Sequence, residues 1–97
     1  MSEKVFQAKV VSLAKKLGYK VYHTYDSRRS EPGFPDLVLV RDKVIFAELK
    51  SETGRISRDQ EDWIKSLTDA GSFAVVWRPT DWDTIVKILT SRGSGNK

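Results

Sequence analysis

Apolar side chains recur along the chain with two different periods, which predict helices that alternate with strands. Helical spacing over residues 3–17 ends just before Gly18, a residue suited to a helix terminus. A second helical segment begins at the capping-box pattern of Ser57 and Gln60. A third follows Thr80, whose hydroxyl makes it a suitable N-cap. The helical pattern therefore predicts three helices.

Runs of aromatic and β-branched residues predict four strands. They lie at residues 19–25, 36–40, 44–50 and 73–77. The middle two form a hairpin. The length of its loop decides which residue of the second strand lies opposite Asp36. A three-residue loop places Asp36 opposite Glu48, whereas a two-residue loop places Asp36 opposite Leu49 and puts the two carboxylates on opposite faces. The chemistry described below favours the three-residue loop.

The predicted order α-β-β-β-α-β-α corresponds to an α/β (α+β) fold with a mixed central sheet. Both faces of the hairpin strands are apolar, so we expect helices to cover the sheet on both sides. The length suits one domain. We assign residues 1–90 to it and interpret the Ser- and Gly-rich residues 91–97 as a flexible tail.

Composition excludes several classes of protein. The chain has no cysteine, which excludes a disulfide framework and a thiolate metal site, and its short apolar runs predict no membrane span. The net charge is +4, and the first 50 residues carry all of this excess, with 10 basic and 6 acidic side chains. The later residues hold 7 of each. This distribution suggests a polyanionic partner on one side of the molecule.

Two carboxylates and a lysine form the main candidate for chemistry. In the favoured register Asp36 faces Glu48, with Cβ atoms about 4.5–5.5 Å apart, and Lys50 shares the face of Glu48. Facing carboxylates repel unless a proton or cation lies between them. Mg²⁺ would find two oxygen ligands there and a third in the carbonyl of Leu49, while Lys50 could neutralise a phosphate oxygen. The alternative is an ordinary ion pair between Glu48 and Lys50 on an edge strand.

A set of motifs resembles the VRR-NUC domain of the PD-(D/E)xK nuclease superfamily, and most closely its short stand-alone bacterial and phage members. These motifs are Gly33-Phe34-Pro35-Asp36, Phe46-Ala47-Glu48-Leu49-Lys50, Gly54, Ser57, Gln60, Trp63, Leu67 and Gly71. The resemblance implies a restriction-endonuclease-like core and Mg²⁺- or Mn²⁺-dependent cleavage of DNA. For stand-alone members it also implies a homodimer that resolves four-way (Holliday) junctions, in the cytoplasm of a bacterial cell or phage-infected host.

The same resemblance assigns roles to individual residues. It implies that Asp36 and Glu48 bind metal, that the Leu49 carbonyl assists them, and that Lys50 is the catalytic lysine. Gln60 matches a glutamine thought to support the site, although the capping box with Ser57 explains it equally well. Glu3 matches an acid that many members carry on the first helix. Its ordinary interpretation is a favourable acid in the first helical turn.

Several residues are candidates for contact with DNA. Arg28 and Arg29 lie in the loop before Asp36 and are the best candidates for phosphate contacts, unless that loop is simply solvated. Arg55 and Arg58 flank the start of the second helix, whose N-terminus could itself receive a phosphate. His23 is either a DNA contact near the site or a packed strand histidine. Trp63, Trp77 and Trp82 are expected in the core or at a dimer interface.

Two other functions stay open at this point. A non-catalytic module could keep the fold only to bind branched DNA, and a flap or replication-fork nuclease would share the same catalytic residues. The intact set of Asp36, Glu48 and Lys50 favours an enzyme.

Overall fold

The computed structural model describes residues 1–24 and 31–92. Its elements follow the predicted order, with one added turn of 3₁₀ helix before the last helix. They are α1 (Glu3–Lys16), β1 (Lys20–His23), β2 (Leu37–Val40), β3 (Val44–Leu49), α2 (Arg58–Asp69), β4 (Phe73–Trp77), the 3₁₀ helix (Pro79–Asp81) and α3 (Trp82–Thr90). The predicted α+β class and element order are confirmed. The predicted tail lies mostly outside the described residues and stays a prediction.

The four strands form one mixed sheet in the order β1-β2-β3-β4. The first three are antiparallel neighbours, and β3 and β4 are parallel because α2 connects them as a crossover. In the hairpin, Val40 pairs with Val44 and Val38 with Phe46, which leaves three residues in the turn. The three-residue register is therefore confirmed.

The core lies between one face of the sheet and the helices α1 and α3. Apolar residues at helical spacing on α1 meet alternate residues of β2 and β3, as the two periods require. The buried set is Phe6, Val10, Ala14, Tyr19, Leu37, Leu39, Ile45, Ala47, Leu49, Trp77, Ile85 and Leu89. Trp77 is thus a core residue, as expected. Tyr19 precedes β1 instead of starting it, and its hydroxyl donates to the Leu89 carbonyl at 3.0 Å.

Helices lie on both sides of the sheet, as expected, but α2 covers its face only in part. Phe46 is half-buried beneath Phe34, whose ring lies 6.1 Å away, and Trp63 of α2 contacts Phe34 edge-on. Towards the hairpin turn, Val40 and Val44 are 38% and 44% exposed. One helix, about 10–12 Å in diameter, is too narrow to cover four strands that lie about 4.7–4.9 Å apart.

The hairpin turn binds the ends of two helices through its cations. Arg41 donates to the carbonyls of Leu17 and Ser91, and Lys43 donates to those of Ile88 and Ser91. Helix C-termini leave carbonyls without partners and carry partial negative charge, so both interactions are favourable. Burial lowers the pKa of Lys43 despite its neighbour Asp42. These two charges serve the fold.

Thr80 does not cap the last helix, contrary to prediction. It lies inside the 3₁₀ helix, and its hydroxyl donates to a Glu52 carboxylate oxygen at 2.8 Å. The side chain of Asp81 accepts from the Arg78 N–H and so closes the turn in which the chain leaves β4. Within the described residues, no helix has the length and apolar character needed to cross a membrane.

Candidate active site

The predicted carboxylate pair forms where β2 begins and β3 ends. Leu37 pairs with Ala47, so Asp36 and Glu48 stand on the next rung of the hairpin. An Asp36 oxygen accepts the backbone N–H of Leu49 at 3.0 Å, which fixes the carboxylate against β3. Glu48 is only 2% exposed. A buried acid beside a second acid is costly to ionise, which makes this pair the candidate functional site.

The surroundings of Glu48 disfavour its negative charge. Burial, followed by the negative charge of Asp36, raises the pKa of Glu48 to about 8, and Lys50 opposes the shift. This shift favours the protonated form of Glu48 near neutral pH. A divalent cation could replace that proton, because it would satisfy both carboxylates at once.

Lys50 stands beside the pair at the start of the loop that follows β3. Its ammonium lies 3.8 Å from Glu48 Oε2, and the side chain is 13% exposed. Arg78, the residue after β4, holds the next residues by donating to the carbonyls of Ser51 and Glu52 at 2.6 and 3.3 Å. The backbone N–H of Lys50 also donates to the Trp77 carbonyl. The end of β4 and the residue after it therefore fix the backbone around Lys50.

Gln60 makes the contacts that both interpretations of the sequence require. Its Oε1 accepts the Ser57 N–H at 2.9 Å, while the Ser57 hydroxyl accepts the Gln60 N–H and completes the capping box. Its Nε2 donates to Glu48 Oε2 at 2.9 Å. One amide group thus joins the start of α2 to the buried carboxylate.

The two functions of Gln60 can be separated by substitution. Ser57→Ala removes half of the capping box and is expected to cost about 1 kcal/mol of unfolding free energy while leaving the site chemistry intact. Gln60→Glu keeps an acceptor for the Ser57 N–H, but it places a third carboxylate against Glu48 and should lower cleavage at least about tenfold. Urea unfolding and a cleavage assay on both variants test this division. Equal losses of activity would contradict it.

The segment that delivers Asp36 is packed against α2. The Trp63 indole N–H donates to the Pro32 carbonyl at 3.1 Å, and its ring meets Phe34 edge-on at 5.0 Å between centroids. From the other side, Thr24 donates its N–H to the Asp36 carbonyl at 2.8 Å. The same helix therefore positions Gln60 and the loop that carries Asp36.

Gly33 makes this close packing possible. Its φ is +89°, and a Cβ at this position would lie 2.4 Å from the carbonyl carbon of Asp59 on α2. Gly33→Ala is expected to cost about 3 kcal/mol and to reduce activity, because the loop must lift off α2. Gly71→Ala is the matched control, with φ +94° and open space around it, and should cost about 1 kcal/mol. Chemical denaturation of both variants makes the comparison; equal costs would argue against tight docking of the loop.

The donor set of the site fits a hard divalent cation. Asp36 and Glu48 supply carboxylate oxygens, and the carbonyl of Leu49 faces the same side as its N–H, which binds Asp36. Mg²⁺ commonly takes one or two carboxylates and completes its shell with water and phosphate. Glu3 is not brought to this pair: across residues 1–24 and 31–92, no three His, Cys, Asp or Glu side chains lie close enough to share a metal ion.

The predicted DNA contacts have different outcomes. Arg55 precedes α2 and Arg58 begins it, and both side chains are exposed. His23 hydrogen-bonds to Gln7 at 3.1 Å and pairs with Leu37, which places it on the opposite sheet face from Asp36. Arg28 and Arg29 lie outside the described residues.

Tyr22, the neighbour of His23, was not among the predicted site residues and lies on the site face of the sheet. It pairs with Val38, two residues from Asp36, and is 60% exposed. The signal for it was the alternation along β1, which puts Tyr22 and His23 on opposite faces.

The fold and this pair of acids with its lysine define a nuclease-type domain of the PD-(D/E)xK class. Residues 3–80 match the sequence profile of the VRR-NUC domain. The chain belongs to the VRR-NUC family, and membership implies a nuclease-type domain that binds DNA.

A solved structure described as "VRR_NUC domain protein" shares the fold. Its TM-score is 0.73 at 21% sequence identity, and the superposition covers 91% of this chain and 85% of that one. A search of curated proteins found no match.

Proposed function

We propose that the chain is a metal-dependent, structure-selective DNA endonuclease that acts as a homodimer on four-way junctions in the cytoplasm. The observation that carries the proposal is the buried Glu48, which is paired with Asp36, hydrogen-bonded by Gln60 and flanked by Lys50. A structural ion pair between Glu48 and Lys50 does not need a second acid beside it.

Asp36, Glu48 and the Leu49 carbonyl would hold Mg²⁺ or Mn²⁺ at the open end of the hairpin. When bound, such an ion supplies Lewis acidity and lowers the pKa of a coordinated water. The protein contributes orientation: the Leu49 N–H holds Asp36 and the Gln60 amide holds Glu48, so neither carboxylate must reorganise during the reaction.

Lys50 supplies the cationic group that phosphodiester hydrolysis requires. Its ammonium lies next to Glu48 and can stabilise negative charge as it develops on the phosphate, or orient the attacking water. The products would be 5′-phosphate and 3′-hydroxyl ends, as the family resemblance implies.

The DNA-binding part of the proposal rests on the cations around the site. Arg55 and Arg58 are exposed at the start of α2, where free N–H groups and the helix dipole favour phosphate. Arg28 and Arg29 would add to them from the loop before Asp36. A dimer would present two sites, one for each strand that must be cut in a junction.

A cleavage panel tests the proposal. End-labelled four-way junctions, flaps, forks and linear duplex of the same sequence are incubated with wild type or Asp36→Asn, in Mg²⁺ or in EDTA. We expect paired cuts near the branch point of the junction, only with Mg²⁺ and only with wild type. Binding without cleavage would indicate a non-catalytic branched-DNA module, and preferential cutting of flaps or forks would reassign the substrate within the same class.

A further inference from the structure

β4 (Phe73–Trp77) leaves one edge of the sheet open. It is the last strand in the sheet order, and within the described residues it pairs only with β3. The Trp77 carbonyl accepts from Lys50, so alternation directs the backbone groups of Phe73, Val75 and Trp77 to β3. Those of Ala74 and Val76 point outward. The strand has no charge, proline or bulge, which are the usual means of preventing edge-to-edge pairing.

The surface beside this edge is also apolar and incompletely covered. Phe73 is 44% exposed, and α2 contains no buried residue although its apolar side chains share one face. A groove of about 400 Å³ runs between α2 and β4, lined by Ile56, Ile64, Val76, Glu61, Asp62 and Lys65. We call the open edge of β4 and this groove the β4–α2 surface. Amphipathic helices normally bury their apolar face, so this surface is suited to a protein partner.

We propose that the partner is a second copy of this chain, whose β4 pairs antiparallel with β4 about a two-fold axis at Val75. The inference rests on the proposed homodimeric nuclease and specifies where its two copies meet. In this register Ala74 of each copy lies opposite Val76 of the other, so the outward N–H and C=O groups of both residues find partners. Two sheets of four strands become one sheet of eight.

Charge on α2 favours a copy of the same chain over an unrelated strand. A two-fold interface must be self-complementary, each group meeting its opposite on the other copy. Because α2 packs beside β4, the pairing brings the two α2 helices together in antiparallel orientation. Glu61 and Asp62 of one copy would then face Lys65 of the other, whose ammonium also pairs with Asp69 of its own helix at 2.7 Å. The two-fold axis repeats this acid–lysine contact on the other side of the interface.

The same symmetry arranges the two sites for a substrate with two scissile strands. The axis is perpendicular to the sheet, so both α2 helices stay on one face. The sites, at the ends of the two β3 strands, point in opposite directions on that face. This arrangement suits a pair of symmetric cuts in a branched DNA.

A cysteine at the axis tests the register directly, because the chain has no cysteine of its own. Opposite residues in a non-hydrogen-bonded antiparallel pair have Cα atoms about 4.5 Å apart, within the range of a disulfide. Val75→Cys is expected to convert almost completely to a disulfide-linked dimer under mild oxidation. Val44→Cys, an exposed valine on the same sheet away from the edge, is the matched control and should remain monomeric on a non-reducing gel.

Charge reversal supplies a second test that does not touch the core. Sedimentation equilibrium of wild type should give twice the chain mass of 11.1 kDa. Lys65→Glu places like charges across the axis, besides breaking the exposed pair with Asp69 in its own helix, and should weaken the dimer about tenfold or more. Glu61→Lys in the same chain should restore the dimer, because it re-creates the opposite charges across the axis but not the pair with Asp69. Lys4→Glu, an equal reversal on α1, should change nothing.

The outcomes separate this inference from the proposed nuclease activity. A monomeric wild type, or a dimer that survives Lys65→Glu while Val75→Cys fails to cross-link, would overturn the interface even if the protein cuts junctions. Cross-linking at Val75 in a protein that cuts no DNA would leave the interface standing and remove the nuclease. If Lys65→Glu is monomeric and cuts only one strand per binding event, both hold.

Discussion

Replacing Lys50 with methionine is expected to reduce the rate constant of cleavage about 10³-fold and to leave DNA affinity within about threefold. Methionine preserves most of the volume of the side chain, which is only 13% exposed, and removes its charge. The lost charge acts where negative charge develops during hydrolysis and contributes little to the ground state. The effect should therefore fall on the rate of the bound complex.

Single-turnover cleavage at saturating enzyme, together with fluorescence anisotropy in Ca²⁺, separates these two quantities. Lys50 also opposes the raised pKa of Glu48, so the variant must be titrated with Mg²⁺ to show that weak metal binding does not cause the loss. Lys87→Met, an exposed lysine on α3, is the control. A variant that retains more than a tenth of the wild-type rate at saturating Mg²⁺ would exclude Lys50 from the chemistry.

The second large effect concerns stability and pH. The pKa of Glu48 is raised from its ordinary 4.5 to about 8, so between these values the folded state holds a proton that the unfolded chain releases. Stability without metal must then fall as pH rises through this interval, and the whole penalty applies above pH 8. Glu48→Gln carries no ionisable group at this position. At pH 9 it should be more stable than metal-free wild type by about 2–4 kcal/mol, and at pH 4 the two should be nearly equal.

Urea unfolding at several pH values, with EDTA or with Mg²⁺, measures both parts of this expectation. Mg²⁺ should restore stability to wild type at high pH, by about 2.7 kcal/mol at one hundred times the dissociation constant, and should leave Glu48→Gln unchanged. Glu31→Gln, an exposed substitution, controls for the change in net charge. If wild type becomes more stable with rising pH in EDTA, the carboxylate pair does not retain its proton.

Local rules were sufficient to predict the hairpin and its chemistry. The turn length followed from requiring Asp36 and Glu48 on one face, and the structure confirms the corresponding pairing of Val40 with Val44. Ser57 and Gln60 form the expected capping box because that motif involves only residues within one helical turn of each other.

Interactions distant in sequence were beyond such rules. Nothing near Thr80 in the chain indicates that Glu52 will accept a hydrogen bond from its hydroxyl. The sequence therefore predicted a helix cap at this residue. Arg78 likewise positions the loop after Lys50 through carbonyls that lie 26 and 27 residues away. How much of the second sheet face is covered depends on where α2 lies over the strands. The spacing of apolar residues in the sequence does not predict that position.

The charge of the first 50 residues also needs a new interpretation. The sequence suggested that the whole excess faces a polyanion, but Arg41 and Lys43 are bound to the carbonyls of two helix ends. Meanwhile Gln60 and Arg78, from the electrically neutral later part, help to build the site. The distribution of charge along a chain does not report its distribution in space.

The hairpin turn has a practical consequence for attaching other molecules to this domain. Arg41 and Lys43 hold the Ser91 carbonyl at the turn, whereas Asp36 and Glu48 lie at the other end of the same strands, about 15 Å away. A fluorophore or fused protein joined after residue 92 would start on the side remote from the carboxylates. We therefore expect C-terminal fusions to leave substrate access open, while attachment near Glu31 would obstruct it.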